Sequence, residues 1–299
     1  MHILLLGCQG QVGWELQRSL APLGQVTALD RRGLVRDGQL LVGDLSDVAG
    51  VVQTVLTLRP DVIVNAAAYT AVDKAESDIE NARLINAAAP AEIAKAALQI
   101  GAWLVHYSTD YVFDGSGDMP RREDAPVGPL NLYGQTKLEA EQAIVASGCP
   151  HLIFRTSWVY AARGGNFAKT MLRLAKEREV LTVINDQWGA PTGAELIADV
   201  TAHAIQRREP ALAGIYHLVA RGETTWFDYA NEVIAHYQSR ILDPELKVKE
   251  VKPVPSTAFV TPAKRPLNSR LDVSHLEQAF GLQMPHWQQG VHRMLMEAF

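Results

Sequence analysis

A tyrosine and a lysine four residues apart, Tyr133 and Lys137, could carry out a proton transfer. Residues at i and i+4 share one face of a helix, so the lysine ammonium can stand beside the phenol and favour its ionised form. An isolated phenol titrates at about pH 10, and its pKa has to fall before it can act as an acid or base near neutrality. Tyr-x-x-x-Lys also occurs by chance in ordinary helices. The pair gains weight from Ser108-Thr109-Asp110 upstream and from a glycine-rich turn at the start of the chain.

The glycine-rich turn follows the first apolar segment. Residues 2 to 7 form the short apolar run that a buried parallel strand needs, and Gly7, Gly10 and Gly13 follow at three-residue spacing. From residue 11 to residue 20 the apolar side chains recur at helical spacing, so the turn opens a helix. Free N–H groups at the start of that helix can face a pyrophosphate. The pattern therefore predicts a dinucleotide site in preference to a plain tight turn.

The residues after the second predicted strand bear on which dinucleotide binds. The predicted strand over residues 26 to 29 is followed by Asp30. A dinucleotide-binding fold places at this position the acid that binds the ribose hydroxyls, and such an acid favours NADH. Arg31 and Arg32 come next, and a guanidinium there could accept the 2′-phosphate of NADPH. The sequence leaves both cofactors open.

Strand and helix signals alternate through the first half of the chain. This alternation predicts a Rossmann-type α/β fold, a doubly wound parallel sheet whose ligands bind at the carboxyl ends of its strands. Asp44, the segment 65–68 and the segment 108–110 each follow a predicted strand, so we expect all three to converge on one crevice. The strands are predicted near 2–7, 26–30, 39–43, 61–66, 102–108 and 151–156.

After residue 156 the rhythm changes. The polar, turn-rich segment 186–192 is of the kind that lines pockets. We expect residues 1–156 to form the dinucleotide-binding domain and residues 157–299 to form mainly a smaller substrate-binding lobe, interleaved with late pieces of the sheet. In this half, helices are predicted over 167–178, 193–208 and 226–237, and a short strand over 216–218.

Bulk composition excludes several classes of function. The net charge of −5 and the lack of a basic cluster argue against nucleic acid as a partner. No segment approaches the roughly 20 apolar residues of a membrane span, and the first strand begins at the N-terminus, so we expect a cytoplasmic protein without membrane contact. Cys8 and Cys149 have no partner at redox or zinc spacing and are expected to be reduced. His106, inside an apolar strand, is predicted to be a core residue with satisfied hydrogen bonds.

Taken together, the motifs resemble the extended short-chain dehydrogenase/reductase superfamily and, within it, the dTDP-4-dehydrorhamnose reductase family. The wider likeness is Gly-x-x-Gly-x-x-Gly in the first turn, Ser-Thr after the fifth predicted strand and Tyr-x-x-x-Lys on the next helix. The narrower likeness runs the length of the chain, in Ser108-Thr109-Asp110-Tyr111-Val112-Phe113-Asp114-Gly115, Arg155-Thr156-Ser157-Trp158-Val159-Tyr160, Asp186-Gln187-Trp188-Gly189-Ala190-Pro191-Thr192 and Arg265-Pro266-Leu267-Asn268-Ser269-Arg270-Leu271.

The resemblance implies an enzyme that reduces the C4 keto group of dTDP-4-dehydro-L-rhamnose with NADPH or NADH. The product, dTDP-L-rhamnose, feeds bacterial cell-surface polysaccharide such as O-antigen. Tyr133 would donate a proton to the C4 oxygen, Thr109 would give that oxygen a second hydrogen bond, and Lys137 would hold the nicotinamide ribose and lower the tyrosine pKa. Asp110 and Trp158, with Thr109, fall where the family contacts the sugar nucleotide. The implied cofactor contacts are Gly7, Gly10, Gln11, Val12, Gly13, Asp30, Arg31, Asp44, Leu45, Ala68, Tyr69, Thr70, Tyr107, Tyr133 and Lys137.

Some members of the family that this chain resembles dimerise around a magnesium ion held by helix carboxylates. Glu15 and Glu195 occupy the matching places here. The resemblance therefore implies a homodimer with Mg²⁺, and the oxygen preference of magnesium is its physical support.

Two other functions stay open from the sequence. One is a sugar-nucleotide epimerase or dehydratase. The resemblance implies the motif Thr-Asp-Glu in the dehydratases at the place where this chain has Thr109-Asp110-Tyr111. The missing glutamate argues against elimination of water. The other is a catalytically silent subunit, like the reductase-like regulatory subunits of methionine adenosyltransferase, and the intact Thr109, Tyr133 and Lys137 argue against it.

Overall fold

The computed structural model describes residues 1–240 and 246–299. The strands of this part are β1 His2–Leu6, β2 Gln25–Leu29, β3 Leu34–Arg36, β4 Gln39–Leu41, β5 Val62–Asn65, β6 Trp103–Thr109, β7 His151–Thr156, β8 Val159–Tyr160, β9 Val180–Ile184, β10 Trp188–Gly189, β11 Thr192–Gly193, β12 Gly214–His217, β13 Thr224–Thr225 and β14 Glu250–Val254. Its α-helices are α1 Gln11–Leu20, α2 Val48–Leu58, α3 Val72–Ala75, α4 Ile79–Arg83, α5 Ala89–Ile100, α6 Leu132–Ser147, α7 Phe167–Glu177, α8 Ala194–Gln206, α9 Trp226–Arg240, α10 Ser274–Phe280 and α11 Trp287–Ala298.

Six strands form one parallel sheet in the order β12-β7-β6-β5-β1-β2. Successive side chains of a strand point to opposite faces, so a strand that is apolar throughout needs cover on both. In β1, Ile3 and Leu5 belong to the core on one face, and Leu4 and Leu6 belong to the core on the other. The predicted doubly wound parallel sheet is confirmed.

The strand predicted near residues 39–43 does form, as β4, but the expectation that it belongs to the parallel sheet is wrong. β4 pairs antiparallel with β3 in a separate two-stranded ribbon. The connection is Asp37-Gly38, and both residues have positive φ, 53° and 77°, as a two-residue hairpin turn requires. Only Leu41 of this ribbon is buried, whereas a central strand would be apolar on both faces. The third strand of the parallel sheet is therefore β5.

The second half of the chain adds one strand to the sheet and a smaller lobe beside it. β12 pairs parallel with β7 and extends the sheet, as the short strand predicted near Tyr216 would allow. α8 packs against α1, while α7, α9 and α11 enclose a separate apolar cluster. The three helices predicted in this half are confirmed as α7, α8 and α9. The domain boundary at residue 156 stays a prediction.

Cys8 and Cys149 are both buried free thiols. In the two described ranges, none of the helices combines the length and apolar character that a bilayer span requires.

Candidate active site

A cleft of about 770 Å³ opens at the carboxyl ends of the parallel strands. Each of the three segments that were expected to converge contributes to its wall, through Asp44, residues 66–68 and Ser108. Nearly all the residues expected to contact cofactor line it: Gly7, Gly10, Gln11, Val12, Asp30, Arg31, Asp44, Leu45, Ala68, Tyr69, Thr70, Tyr107, Tyr133 and Lys137. Of the expected set only Gly13 is not in its wall.

The glycines of the first turn have different structural roles. Gly7 has a φ of 81°, and a Cβ there would come within 2.6 Å of the Ala67 backbone nitrogen. A Cβ on Gly13 would overlap the carbonyl oxygen of Gly7, so Gly13 lets α1 pack directly on the turn. Gly10 is the N-cap of α1 and supplies no side chain to its free N–H groups. These groups are therefore available to an anion in the cleft.

Asp30 and the two arginines that follow it are not equivalent in the structure. The Arg32 guanidinium donates to Asp30 Oδ2 at 2.8 and 3.1 Å, and the Arg32 backbone N–H donates to Oδ1 at 2.8 Å. These bonds hold the pKa of Asp30 below its usual range. Arg31 lines the cleft, and Arg32 does not. Arg31 is therefore the guanidinium available to a cofactor phosphate.

Tyr133 lies in the first turn of α6 at the opposite end of the cleft. Asn131 caps this helix by accepting from the Gly134 N–H at 2.8 Å. Tyr111 packs edge-on against the Tyr133 ring, with centroids 5.9 Å apart. Burial raises the pKa of Tyr133 to about 12, the charge of Asp110 raises it further, and a hydrogen bond with Thr109 lowers it. The phenol is therefore protonated at neutral pH.

The expected effect of Lys137 on the Tyr133 pKa is absent from this structure. The Tyr133 pKa of about 12 lies above the Lys137 pKa of about 8, so the lysine is already neutral at the pH where the phenol would ionise, and its Nζ lies 3.1 Å from His106 Nε2. The lysine side chain is buried, and burial lowers its pKa to about 8 against the raising effect of Glu141. His106 is a buried core residue with hydrogen-bond partners on both ring nitrogens, as predicted, but one partner is the expected catalytic lysine.

Thr109 and Asp110 lie beside Tyr133, outside the wall of the cleft. Thr109 Oγ1 donates to Asp110 Oδ1 at 3.0 Å and also accepts from the Tyr111 N–H, so it caps the turn after β6 as well. Asp110 is buried, and its Oδ2 has no hydrogen-bond partner. Burial raises the pKa of Asp110 to about 7. This carboxyl can therefore be neutral at physiological pH.

Trp158, the other expected substrate contact, follows β7 in an uncommon conformation. Its φ is 47°, and its indole stacks on Trp226 with centroids 3.6 Å apart. A Cβ on Gly189 would meet the same indole at 2.8 Å, so the ring is held on two sides. This held indole offers a fixed apolar surface, and its contact with substrate stays a prediction.

Sequence reasoning missed three polar side chains in the wall of the cleft. They are Gln9, Lys74 and Thr156, whereas Ser108 belongs to a strand-end segment that was expected there. The hydroxyls of Ser108 and Thr156 are buried without hydrogen-bond partners at the ends of the neighbouring strands β6 and β7. Both residues stand in motifs quoted for the family resemblance, and the parallel register was the signal that they would meet in the cleft.

Glu15 and Glu195 lie on the packed helices α1 and α8. Burial raises the pKa of Glu195, the charge of Arg293 opposes this, and the charges of Glu297 and Glu15 raise the pKa further. Arg18 lies 3.5 Å from Glu15, and Arg293 lies 3.8 Å from Glu195. Residues 1–240 and 246–299 contain no group of three or more potential metal ligands. The described residues of one chain therefore do not by themselves supply the predicted magnesium site.

Comparison with known proteins gives one consistent result. The sequence matches the RmlD substrate binding domain family over residues 1–299. It is 58% identical to the dTDP-4-dehydrorhamnose reductase of Escherichia coli K12 over 100% of this chain and 98% of that protein. It is 46% identical to the enzyme of the same name from Burkholderia thailandensis, over 97% of each. A dTDP-4-dehydrorhamnose reductase from Bacillus anthracis, solved in complex with NADP, superposes with a TM-score of 0.88 at 34% identity over 99% of both chains.

Proposed function

This chain belongs to the RmlD substrate binding domain family, and on that premise we propose how its own residues carry out the dTDP-4-dehydrorhamnose reductase reaction. It is an NAD(P)H-dependent oxidoreductase that reduces the C4 keto group of dTDP-4-dehydro-L-rhamnose. The observation that carries the residue assignment is the meeting of Tyr133, Lys137 and the glycine turn in one cleft.

The cleft fits a nicotinamide dinucleotide. Gly7 allows close approach of backbone at the turn, and the first N–H groups of α1 are free for a pyrophosphate. At the other end, the unpartnered hydroxyls of Ser108 and Thr156 can bond a polar group of the ligand. When bound, the reduced cofactor supplies the hydride for the substrate carbon.

Tyr133 is the proton donor in this proposal. Its pKa of about 12 keeps the proton on the phenol until negative charge develops on the substrate oxygen. Thr109 bonds Asp110 in the structure and lies within reach of the Tyr133 hydroxyl, so it can share in holding the same oxygen. Trp158 and Asp110 would contact the sugar nucleotide.

The tyrosine at position 111 argues against elimination of water as the main reaction. Elimination of water needs an acid and a base beside the tyrosine. In the sugar-nucleotide dehydratases that this chain resembles, a glutamate stands at the position of residue 111. Here the position holds Tyr111, a largely buried phenol whose pKa burial raises. Asp110 is then the one carboxyl next to Tyr133 among the described residues, which suits a single proton transfer better than a pair of them.

An assay of NADPH oxidation with dTDP-4-dehydro-L-rhamnose tests the proposal. We expect Tyr133→Phe to lower turnover by about 10²–10⁴-fold, since general acid catalysis typically contributes that much. NADPH affinity should change little, because only one hydroxyl is removed. A Tyr133→Phe enzyme with more than a third of the normal turnover would refute the role of Tyr133. Tyr237→Phe is the matched control, because Tyr237 is buried in the lobe away from the cleft.

We also propose that the enzyme works as a homodimer with Mg²⁺ between carboxylates of the α1 and α8 surface. Glu15 and Glu195 of one chain give two oxygen ligands at most per residue, so a second copy would have to complete the shell. The product would feed bacterial surface polysaccharide, O-antigen included. Support for both comes from the family resemblance, and the packing of α1 on α8, which carry Glu15 and Glu195, supports the metal bridge.

A further inference from the structure

Lys137 is buried beside a histidine and has no acidic partner in the described residues. Its Nζ lies 3.1 Å from His106 Nε2. The carboxylate one turn along the helix, Glu141, is already held by Arg155, whose Nε and a terminal nitrogen donate to its two oxygens at 2.9 and 2.7 Å. That ion pair is itself buried. The lysine charge therefore has little to compensate it.

A second contact fixes which nitrogen of His106 carries the proton. Asn65 lies opposite His106 in the sheet, and its Oδ1 accepts from the Ala67 N–H at 3.2 Å. The Asn65 Nδ2 group therefore faces His106, 3.3 Å from Nδ1. An amide nitrogen only donates, so Nδ1 must accept and the proton of the neutral ring sits on Nε2.

Nε2–H then points at Lys137, and a donor facing an ammonium makes no hydrogen bond. A neutral amine, by contrast, can accept from Nε2–H. Burial lowers the pKa of Lys137 to about 8 and keeps the pKa of His106 well below its usual value. The pKa of Lys137 is thus close enough to neutral pH for one hydrogen bond to decide whether the side chain is an amine or an ammonium.

We propose that Asn65 and His106 hold Lys137 as a neutral amine in the cofactor-free enzyme, and that Lys137 takes up one proton from solvent when the dinucleotide binds. This inference rests on the proposed function. A dinucleotide brings hydroxyl acceptors and negative phosphates into the cleft, and both favour an ammonium. The charged lysine would then act on Tyr133, so that the acid is strengthened only once the cofactor is present.

Other charged groups near α6 leave this picture unchanged. On the inner side, Asp110 is coupled to Tyr133, and Glu141 is neutralised by Arg155. The remaining titratable groups on the elements packed against α6 have partners of their own or lie toward solvent. Glu80 is exposed, and Tyr111 packs on the Tyr133 ring. The paired groups are Arg83 with Glu139, Lys95 with Glu92, Lys74 with Asp78, Asp73 with Arg265, Tyr69 with Asp78, Glu76 with the Leu132 N–H, Tyr107 with Thr201 and His151 with the Cys149 carbonyl.

The first test is the tautomer of His106 in the cofactor-free protein. Nitrogen-15 NMR of histidine-labelled protein distinguishes a protonated from an unprotonated ring nitrogen. The His106 signals are those missing in His106→Gln and shifted in Asn65→Asp. We expect Nε2 to be protonated and Nδ1 to be bare, without titration between about pH 6 and 9. A proton on Nδ1 would overturn the proposal, and this arm needs no variant to be active.

The second test measures protons taken up when NADH binds. NADH is chosen because it lacks the titratable 2′-phosphate of NADPH. Calorimetry at pH 8.5 in buffers of different ionisation enthalpy should give between about 0.5 and 1 proton per NADH, and close to none for Lys137→Met. Binding without uptake in the wild type would contradict the inference alone. Failure of both NADH and NADPH to bind would instead contradict the proposed function.

Asn65→Asp gives an isosteric reversal. A carboxylate accepts from Nδ1–H, so Nε2 becomes an acceptor for the Lys137 ammonium. Lys137 should then be charged before cofactor binds, and uptake should fall below about 0.2 proton while NADH still binds. Uptake equal to the wild type would count against the relay. His275→Gln is the matched control, since this half-exposed histidine lies away from the cleft, and its uptake should match the wild type.

Discussion

Asp110 and Lys137 lie at the same end of the cleft, and burial draws both toward their neutral forms. The pKa of Asp110 rises to about 7, while that of Lys137 falls to about 8. A carboxylic acid and an amine can each exchange a proton near neutral pH, which their exposed counterparts cannot do. The residue types alone say nothing of this, because burial sets both values.

Replacing Asp110 with asparagine should stabilise the protein at high pH. The folded pKa of about 7 exceeds the usual 3.8, so this group favours the fold below about pH 4 and loses that effect as pH rises to about 7. From pH 5 to pH 8 the stability of Asp110→Asn should gain on the wild type by up to about 3 kcal/mol. Urea unfolding of both proteins at the two pH values measures this. A difference that does not change with pH would show that the Asp110 carboxyl is ordinary.

Cofactor preference should depend on Arg31 and hardly on Arg32. Arg31 lines the cleft, whereas Arg32 is engaged by Asp30. Arg31→Ala should weaken NADPH by about tenfold or more and leave NADH nearly unchanged, since an arginine–phosphate bond is worth about 1.5–3 kcal/mol. Arg32→Ala frees the Asp30 carboxylate, which should favour NADH. Equal losses for both cofactors in Arg31→Ala would mean that Arg31 contacts no 2′-phosphate.

At the scale of elements, two helices hold the ends of the cleft. α1 packs on the glycine turn through Gly13, and α6 is tied to β7 by the buried pair of Glu141 with Arg155. A π-helical segment, Leu84–Ala88, runs into α5 and supplies Asn86, which bonds the backbone of Tyr69 on one side and Thr136 of α6 on the other. The loop after β5 is thereby fixed against α6. The active-site geometry thus depends on contacts that lie outside the cleft.

Gly13→Ala tests the packing of α1. The new Cβ would overlap the Gly7 carbonyl oxygen, so the helix or the turn must shift. Overpacking of this kind typically costs about 1–3 kcal/mol, and NAD(P)H affinity should fall as well because the α1 N-terminus moves. Gly165→Ala is the control, since a Cβ there meets nothing within 4 Å. Thermal unfolding and cofactor titration of both variants give the comparison. Normal affinity in Gly13→Ala would show that the turn does not bind cofactor.

At the scale of the whole molecule, the strand β12 and the helix α8 join the second half of the chain to the first. β12 completes the sheet beyond β7, and α8 packs on α1. The same packing brings together the helices that carry Glu15 and Glu195, although 180 positions of sequence separate the two residues. A metal ion or a second subunit bound at this surface would therefore contact residues from both halves of the chain.

Magnesium should control assembly if it bridges two copies through these carboxylates. We expect light scattering on a sizing column to show dimers in Mg²⁺ and monomers in EDTA, and the double variant Glu15→Gln with Glu195→Gln to stay monomeric in both. Glu92→Gln, at an exposed glutamate paired with Lys95, should behave as the wild type. A double variant that dimerises normally would exclude these carboxylates as the bridge.

The layout of the first half and most of the cleft wall could be predicted from the amino-acid sequence. Apolar runs that alternate with helical patterns leave a parallel sheet as the way to bury both faces of each strand. The carboxyl ends of such strands meet at one edge, so the residues after them were predictable as a set. The glycine turn, Asp30 and Arg31 were found in this way, and Tyr133 and Lys137 were found from their spacing on a helix.

Tertiary structure decided what depends on contacts between distant segments. A run of three residues near Gln39 could not reveal which strand it would pair with, and the Asp37-Gly38 turn sent it into a ribbon outside the sheet. The spacing of Tyr133 and Lys137 predicted a shared helix face, but only the structure shows that the Lys137 Nζ contacts His106 on β6. Burial, which no local pattern specifies, set the pKa values of Tyr133, Lys137 and Asp110, because the desolvation of a charge depends on everything packed around it.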